Sequence, residues 1–173
     1  MKAKPCSNSL AIKTTHVHPP DTNVHNTLFG GRLLAHIDDL AAISAVKHCR
    51  NPVVTASIDS VDFLTPVRAG DAILIESFVT WTRNTSMEVF VRVITENLVT
   101  EEKEVCNTAF LTFVAIDEYG RPTPVPPVYP ETDYEKTLHE SAPERAEQRG
   151  ERRNKSKTFA QKIGSEYIWD RNK

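Results

Sequence analysis

The chain has 173 residues and a mass of 19.4 kDa, and its 39% apolar residues are enough to build the core of one domain. Its formal net charge is −2, which argues against the non-specific binding of nucleic acids or membranes that a basic excess supports. It has no run of about 18 apolar residues and no apolar stretch of a signal peptide at its N-terminus, so we expect a cytoplasmic protein with no nucleic-acid or membrane partner.

The histidines and cysteines of the sequence do not form a recognisable metal-binding pattern. The histidines near the N-terminus lack metal-site spacing and acidic or cysteine partners, and surface positions suit them better: His16, His18 and His25. The cysteines are widely spaced without a C-x-x-C pair, which predicts reduced and mostly buried side chains: Cys6, Cys49 and Cys106. We therefore predict no metal site.

The segment from Asp21 to Gly31 puts turn residues and two adjacent glycines directly ahead of a predicted helix. Glycine lets another molecule approach the backbone closely, and the first turn of a helix has unpaired N–H groups at the positive end of its dipole. The N–H groups of Gly30, Gly31 and Arg32 are thus candidates to bind an anion or a developing oxyanion. A plain loop-to-helix junction has the same pattern.

One long helix is predicted from Gly30 to Cys49. The stop signals are His48 in the last turn, which favours the negative helix end, and Asn51-Pro52, which cannot continue the helical backbone. The apolar stripe recurs at the spacing of one helix face: Leu33, Leu34, Ile37, Leu40, Ala41, Ser44 and Ala45.

Two aspartates lie near the middle of this helix, and their positions differ. Asp38 falls beside Leu34 and Ala41 at the edge of the apolar stripe, whereas Asp39 is turned further toward solvent. A carboxylate at a buried edge is costly unless it is hydrogen-bonded or used, so Asp38 is a candidate general base or nucleophile. A structural carboxylate that caps a loop or pairs with a lysine is the alternative.

Four segments after the helix are rich in β-branched residues and predict strands: Val53 to Phe63, Ala72 to Trp81, Met87 to Val93 and Val105 to Ile116. Because polar turns separate them, consecutive antiparallel strands are the economical arrangement. One long helix is enough to cover the apolar face of such a sheet, which predicts the α+β class. A free sheet edge would favour a dimer.

The folded body is predicted to span residues 1–125, followed by a proline-rich linker and charged tail over 126–173. The sequence R-P-T-P-V-P-P-V-Y-P-E from Arg121 holds five prolines, which suits extended backbone rather than helix or central strand. The tail beyond it fits either a charged helix or partial disorder. Its basic window from Arg145 to Lys157 suits phosphate binding, although a solvated helix face is the commoner explanation.

Four segments carry a resemblance to a known family: D-T-N-V-H-N-T-L-F-G-G-R-L-L-A-H-I-D at 21–38, D-F-L-T-P-V-R-A-G-D at 62–71, N-T-S-M-E-V-F-V-R-V at 84–93 and N-T-A-F-L-T-F-V-A-I at 107–116. Together they resemble the hotdog-fold acyl-CoA hydrolases, in the branch of the broad-range bacterial acyl-CoA thioesterases and the brain acyl-CoA hydrolase. The resemblance implies a five- or six-stranded antiparallel sheet wrapped around the helix. It also implies homodimers joined edge to edge, which assemble into a hexamer, a trimer of dimers.

The resemblance also implies an activity, the hydrolysis of fatty acyl-CoA to free fatty acid and coenzyme A. It places the catalytic carboxylate at Asp38, as general base or nucleophile, facing Asn23 of the other protomer at the dimer interface. The N–H groups of Gly30 and Gly31 would receive the oxyanion, and no cofactor is needed because coenzyme A is substrate and product. The residues expected to contact coenzyme A are Arg83, Asn84, Ser86, Arg152, Arg153, Lys155 and Lys157.

Two other functions compete with this interpretation. Hotdog domains also serve as ligand-binding modules, so a non-catalytic acyl-CoA sensor is the main alternative, although no helix-turn-helix pattern precedes the body. A hotdog dehydratase would need a histidine with a carboxylate, and His36, with an expected exposed position, is the only histidine within the central part of the helix.

Overall fold

The computed structural model describes residues 1–165 of the chain, which divides into two units, residues 1–139 and residues 140–173. Within the described residues, the strands are β1 (Lys4–Pro5), β2 (Ala11–His16), β3 (Val53–Phe63), β4 (Ala72–Thr82), β5 (Ser86–Glu96), β6 (Lys103–Ala115) and β7 (Val128–Tyr129). The helices are α1 (Gly30–Cys49) and α2 (Asp133–Ile163), with two short 3₁₀ turns at Cys6–Ser9 and Pro19–Asp21.

The predicted long helix is confirmed with both of its ends, as α1. It ends where Arg50 adopts a left-handed backbone, φ 60°, and donates its N–H to the Val46 carbonyl at 2.8 Å. The predicted apolar stripe is buried except for Leu34, which is half-buried. This stripe packs on the main sheet and places the opposite side of α1 toward solvent.

The main sheet has five antiparallel strands in the order β2-β4-β5-β6-β3. The strands after the helix are confirmed, but β2 lies ahead of the helix and was not predicted. The expectation of consecutive pairing holds for β4, β5 and β6 and is wrong for β3, which pairs with β6. The eight residues between Phe63 and Ala72 reach about 27 Å when extended, so they easily cross the roughly 14 Å of three strand spacings.

The main sheet therefore has two edges, β2 and β3. All eleven side chains of β3 are half-buried or exposed, including Val54 and Ile58 at 46% and 44%. Its pairing with β6 is interrupted by two bulges, near Thr55 and near Ile58, which increase the local twist of the strand. As an edge strand, β3 is in a position to accept another strand.

The proline-rich segment from Arg121 is part of the first unit and packs within it. Its Val125 and Val128 are buried, and β7 pairs in parallel with β1. The boundary at residue 125 stays a prediction. In the second unit, α2 continues to Ile163 with all side chains from 151 onward exposed, and the tail residues 166–173 lie outside the described part of the chain.

A buried histidine closes the C-terminal end of α1. His48 has no exposed surface, and its Nε2 lies 2.8 Å from the carbonyl oxygen of Pro126. Because that oxygen only accepts hydrogen bonds, Nε2 carries the proton. Among residues 1–165, its Nδ1 has no partner. Burial, opposed by the hydrogen bond to Pro126, holds the pKa of His48 below its usual value, and the nearby charge of Lys4 adds to the lowering.

This burial predicts that the protein loses stability in acid. Since the pKa of His48 is lower in the folded than in the unfolded chain, the unfolded chain takes up a proton first as the pH falls below about 6.5. The free energy of unfolding is then expected to fall by up to about 1.4 kcal/mol per pH unit from this group. Urea unfolding at about pH 7 and pH 5 measures the loss, and His48→Gln, which keeps an N–H donor without titrating, is the control. An equal loss in both proteins would contradict the assignment.

Among the described residues, no helix is long and apolar enough to span a membrane.

Candidate active site

The half-buried carboxylate predicted on α1 is held by a threonine of β3. Thr55 donates its hydroxyl to Oδ1 of Asp38 at 3.0 Å, and Asp38 lies at the edge of the buried stripe, as expected. Within residues 1–165, Oδ2 of Asp38 has no hydrogen bond or ion pair. Asp39 instead lies on the exposed side, 63% exposed, 3.4 Å from Nζ of Lys13. The arrangement fixes one carboxylate oxygen of Asp38 and leaves the other open.

The first turn of α1 offers two free backbone donors. The N–H groups of Arg32 and Leu33 both donate to the carbonyl of Phe29, at 2.9 and 3.2 Å. Arg32 is therefore not an available donor, contrary to expectation. In the described part of the chain, the N–H groups of Gly30 and Gly31 have no acceptor, so the positive end of the helix dipole remains open to a ligand.

The Asn23 side chain organises the loop that leads into α1. Its Oδ1 accepts the N–H of His25 at 2.8 Å and the N–H of Thr27 at 3.3 Å, and its Nδ2 lies 3.0 Å from Oγ1 of Thr27. The backbone closes the same turn, with Asn23 donating to the Thr27 carbonyl at 2.8 Å and Asn26 adopting a left-handed φ of 57°. Asn23 therefore fixes the shape of the loop next to the glycine pair.

Within residues 1–165, no hydrogen bond joins Asp38 to Asn23. Gly30 and Asp38 are separated by two helical turns, which is about 12 Å along the axis. The N–H groups of a helix point toward its N-terminus, so a group bound at Gly30 and Gly31 lies on the side away from Asp38. One chain therefore holds the carboxylate and the two N–H donors too far apart to act on one small group.

The residues predicted to contact coenzyme A fall into two groups. Arg83, Asn84 and Ser86 form the turn between β4 and β5, closed by the Arg83 N–H donating to the Ser86 carbonyl at 2.9 Å. Arg83 and Asn84 are exposed and Ser86 is half-buried. The others are exposed side chains of α2 in the second unit: Arg152, Arg153, Lys155 and Lys157. That either group binds coenzyme A stays a prediction.

His36 is not arranged as a dehydratase would need. It is half-buried rather than exposed, and its Nδ1 lies 3.1 Å from Nζ of Lys13 instead of a carboxylate. Burial, together with the positive charge of Lys13, lowers the pKa of His36. A neutral ring that accepts from Lys13 is the consistent state.

The cysteines are free and buried. Burial raises the pKa of Cys6 to about 12 and that of Cys106 to about 11, so both stay thiols and are poor nucleophiles. Across residues 1–165, no group of three or more His, Cys, Asp or Glu side chains is placed to hold a metal ion. His16, His18 and His25 are exposed.

Three side chains of the site were not predicted from the sequence. Thr55 is one of several β-branched residues in its strand, and nothing in the local pattern marks it as the partner of Asp38. Phe29 and Phe63 are exposed aromatic residues that lie over the glycine pair. Their contacts with Asp38 and with the glycine pair are visible only in the structure.

The chain matches known proteins along almost its whole length. A family model described as "Thioesterase superfamily" matches residues 25–102. An uncharacterised acyl-CoA thioester hydrolase of Bacillus subtilis is 52% identical over 164 residues, which is 95% of both chains. The crystal structure of an apo-hexameric acyl-CoA thioesterase is 52% identical and superposes with a TM-score of 0.86, covering 88% of this chain and 97% of the other.

An acyl-CoA hydrolase of Staphylococcus aureus, solved with butyryl coenzyme A, coenzyme A and coenzyme A disulfide, is 43% identical. It superposes with a TM-score of 0.90 over 94% of this chain and 99% of the other. Structures of that enzyme exist with an asparagine, an aspartate or a threonine replaced by alanine. Those three positions have the same sequence spacing as Asn23, Asp38 and Thr55 have here.

Proposed function

Because this chain belongs to the hotdog-fold acyl-CoA hydrolases of the thioesterase superfamily, we propose that it hydrolyses fatty acyl-CoA at sites built from two protomers. It is an acyl-CoA thioester hydrolase. The observation that carries the finer proposal is the half-buried carboxylate of Asp38, with one oxygen held by Thr55 and the other open. Such a carboxylate is placed to take a proton from a water molecule.

The proposed reaction needs neither a metal nor a serine nucleophile. Asp38 accepts a proton from water as the water oxygen forms a bond to the thioester carbonyl carbon. The N–H groups of Gly30 and Gly31 stabilise the negative charge on the carbonyl oxygen. When the intermediate collapses, the C–S bond breaks with its electron pair on sulfur, and the proton held by Asp38 passes to the thiolate. The products are the fatty acid and coenzyme A. Direct attack by Asp38, through a mixed anhydride, is the second possible route.

The geometry of one chain supports sharing the site between two chains. A carboxylate that acts through one water reaches a carbonyl carbon about 6 Å away, whereas the glycine pair lies about 12 Å from Asp38 along α1. A second copy supplies Asp38 if the two chains pair through an isologous contact. We place Asn23, Gly30 and Gly31 of one protomer with Asp38 of its partner.

The exposed edge strand β3 suits this pairing. It carries Thr55, and its eleven residues lie at one edge of the five-stranded sheet. Pairing β3 with its copy would join two five-stranded sheets and remove the free edge. The related hexameric thioesterases, one of which is from Yersinia pestis, support a further assembly of three such dimers.

Free-thiol release from a series of acyl-CoA esters, short to long, tests the proposed function on the purified protein. We expect release of coenzyme A together with an equimolar amount of fatty acid. The esters hydrolysed most efficiently would define the range of chain lengths. Tight binding of acyl-CoA with no release from any ester would instead support the sensor function and refute the proposal.

A further inference from the structure

Two exposed aromatic rings flank the pair of free N–H groups at the start of α1. The ring of Phe63 lies 3.4 Å from the point where a Cβ of Gly30 would be, and the ring of Phe29 lies 2.6 Å from the corresponding point of Gly31. A side chain at Gly31 would displace the Phe29 ring. The glycines therefore let both rings lie directly against the backbone that offers the N–H groups.

The backbones that carry the two rings are fixed. Phe29 donates its N–H to the Asp21 carbonyl at 2.9 Å, and its own carbonyl caps the first turn of α1. Phe63 ends β3 opposite Asn107, whose Nδ2 donates to the Asp62 carbonyl at 2.9 Å. Since both main chains are held, each ring is anchored next to its glycine.

Despite these fixed positions, the rings are left open to solvent. Phe29 is 56% and Phe63 is 55% exposed. Large apolar side chains held in this way next to free hydrogen-bond donors are typical of binding sites that take a ligand with a polar atom and an apolar neighbour. A thioester has this character: its carbonyl oxygen suits the N–H groups, and the methylene groups beside the carbonyl suit the rings.

We infer that Phe29 and Phe63 form the walls that receive the first methylene groups of the acyl chain, and that they set a preference for acyl groups longer than acetyl. The inference rests on the proposed function. Of the two groups attached to the thioester carbonyl, the acyl chain is purely apolar, whereas the pantetheine arm beyond the sulfur carries amides. Apolar rings beside the carbonyl site suit the acyl chain, because they offer no hydrogen bonds to the amides of the pantetheine arm.

The ratio of kcat/KM for butyryl-CoA to that for acetyl-CoA tests this inference. Two methylene groups moved from water to an apolar wall are worth about tenfold in wild type. Phe29→Ala and Phe63→Ala are each expected to bring the ratio toward 1, because loss of the apolar wall lowers kcat/KM for butyryl-CoA more than for acetyl-CoA. Phe63→Leu keeps an apolar wall and should keep most of the ratio. Tyr119→Ala, which removes a 73% exposed ring from a distant turn, should leave it unchanged.

The outcomes separate this inference from the proposed function. A wild-type ratio in both alanine variants would overturn the inference alone, provided that wild type hydrolyses both esters. An equal loss on both esters, with a smaller oligomer by light scattering, would assign the rings to a subunit contact and also overturn it. If Phe63→Ala fails to fold, Phe29→Ala still decides the question. Absence of hydrolysis of every ester in the series, short to long, by wild type would refute the proposed function itself.

Discussion

Asp38→Asn is expected to lower kcat by about 10²–10⁴-fold, the usual contribution of a general base. The amide has the shape of the carboxylate and its oxygen still accepts the Thr55 hydroxyl, but it takes no proton from water. Binding of substrate should therefore be retained, and KM should change little. Steady-state kinetics with butyryl-CoA, together with calorimetric binding to the variant, measures both quantities.

The neighbouring aspartate provides the matched control for this change. Asp39→Asn removes an equal charge from the same helix, but Asp39 is exposed and paired with Lys13, so its kcat should stay within about twofold of wild type. Wild-type turnover by Asp38→Asn, or an equal loss in Asp39→Asn, would contradict the assignment of Asp38 as the base.

Phe113→Ala is expected to reduce the free energy of unfolding by about 3–5 kcal/mol, the cost of a large cavity in a core. Phe113 has no exposed surface and lies on β6, between Thr55 of β3 and the buried Met87 of β5. The cavity would open next to Thr55, the residue that donates its hydroxyl to Asp38. Chemical denaturation of the variant measures the change.

A variant that removes an exposed ring shows whether the loss of any aromatic side chain lowers the free energy of unfolding by this amount. Tyr119→Ala should change the free energy of unfolding by less than about 1 kcal/mol, because Tyr119 lies at a turn and is 73% exposed. If Phe113→Ala is no less stable than this control, then the core is packed differently from the structure described above.

The α+β class and the length of α1 were predictable because they depend on local patterns. The apolar stripe from Leu33 to Ala45 repeats at helical spacing, and Asn51-Pro52 marks the end of the helix. The pairing of β3 was not predictable in this way. Its position depends on an eight-residue connection that crosses the end of the sheet, and no local signal distinguishes a crossing from a hairpin.

The site was predictable in part, for a similar reason. The position of Asp38 at the edge of the apolar stripe marks it as unusual, and the two glycines mark the start of the helix. The fold alone brings three further residues to the site. Thr55 and Phe63 lie on β3, whereas their partners lie on α1, and the position of Phe29 depends on the backbone geometry ahead of the helix. The distance from Gly30 to Asp38 along α1 follows from helix geometry alone, and its length favours a site that is shared with a second chain.

We propose that Asp38 of one protomer acts with Asn23 of its partner, and mixed assemblies of two variants test this shared site. Asp38→Asn and Asn23→Ala proteins, each expected to be nearly inactive alone, are co-expressed with different tags and purified through both. In a mixed dimer, one site receives both wild-type residues and the other receives neither. If the protein is a dimer, purification through both tags leaves only mixed dimers with one intact site of two, so free-thiol release should recover to about half of wild type. In a hexamer with random pairing, about half of the dimers are mixed, and release should recover to about a quarter. Release no greater than that of the two single variants would show that each site lies within one chain, and would refute the shared site.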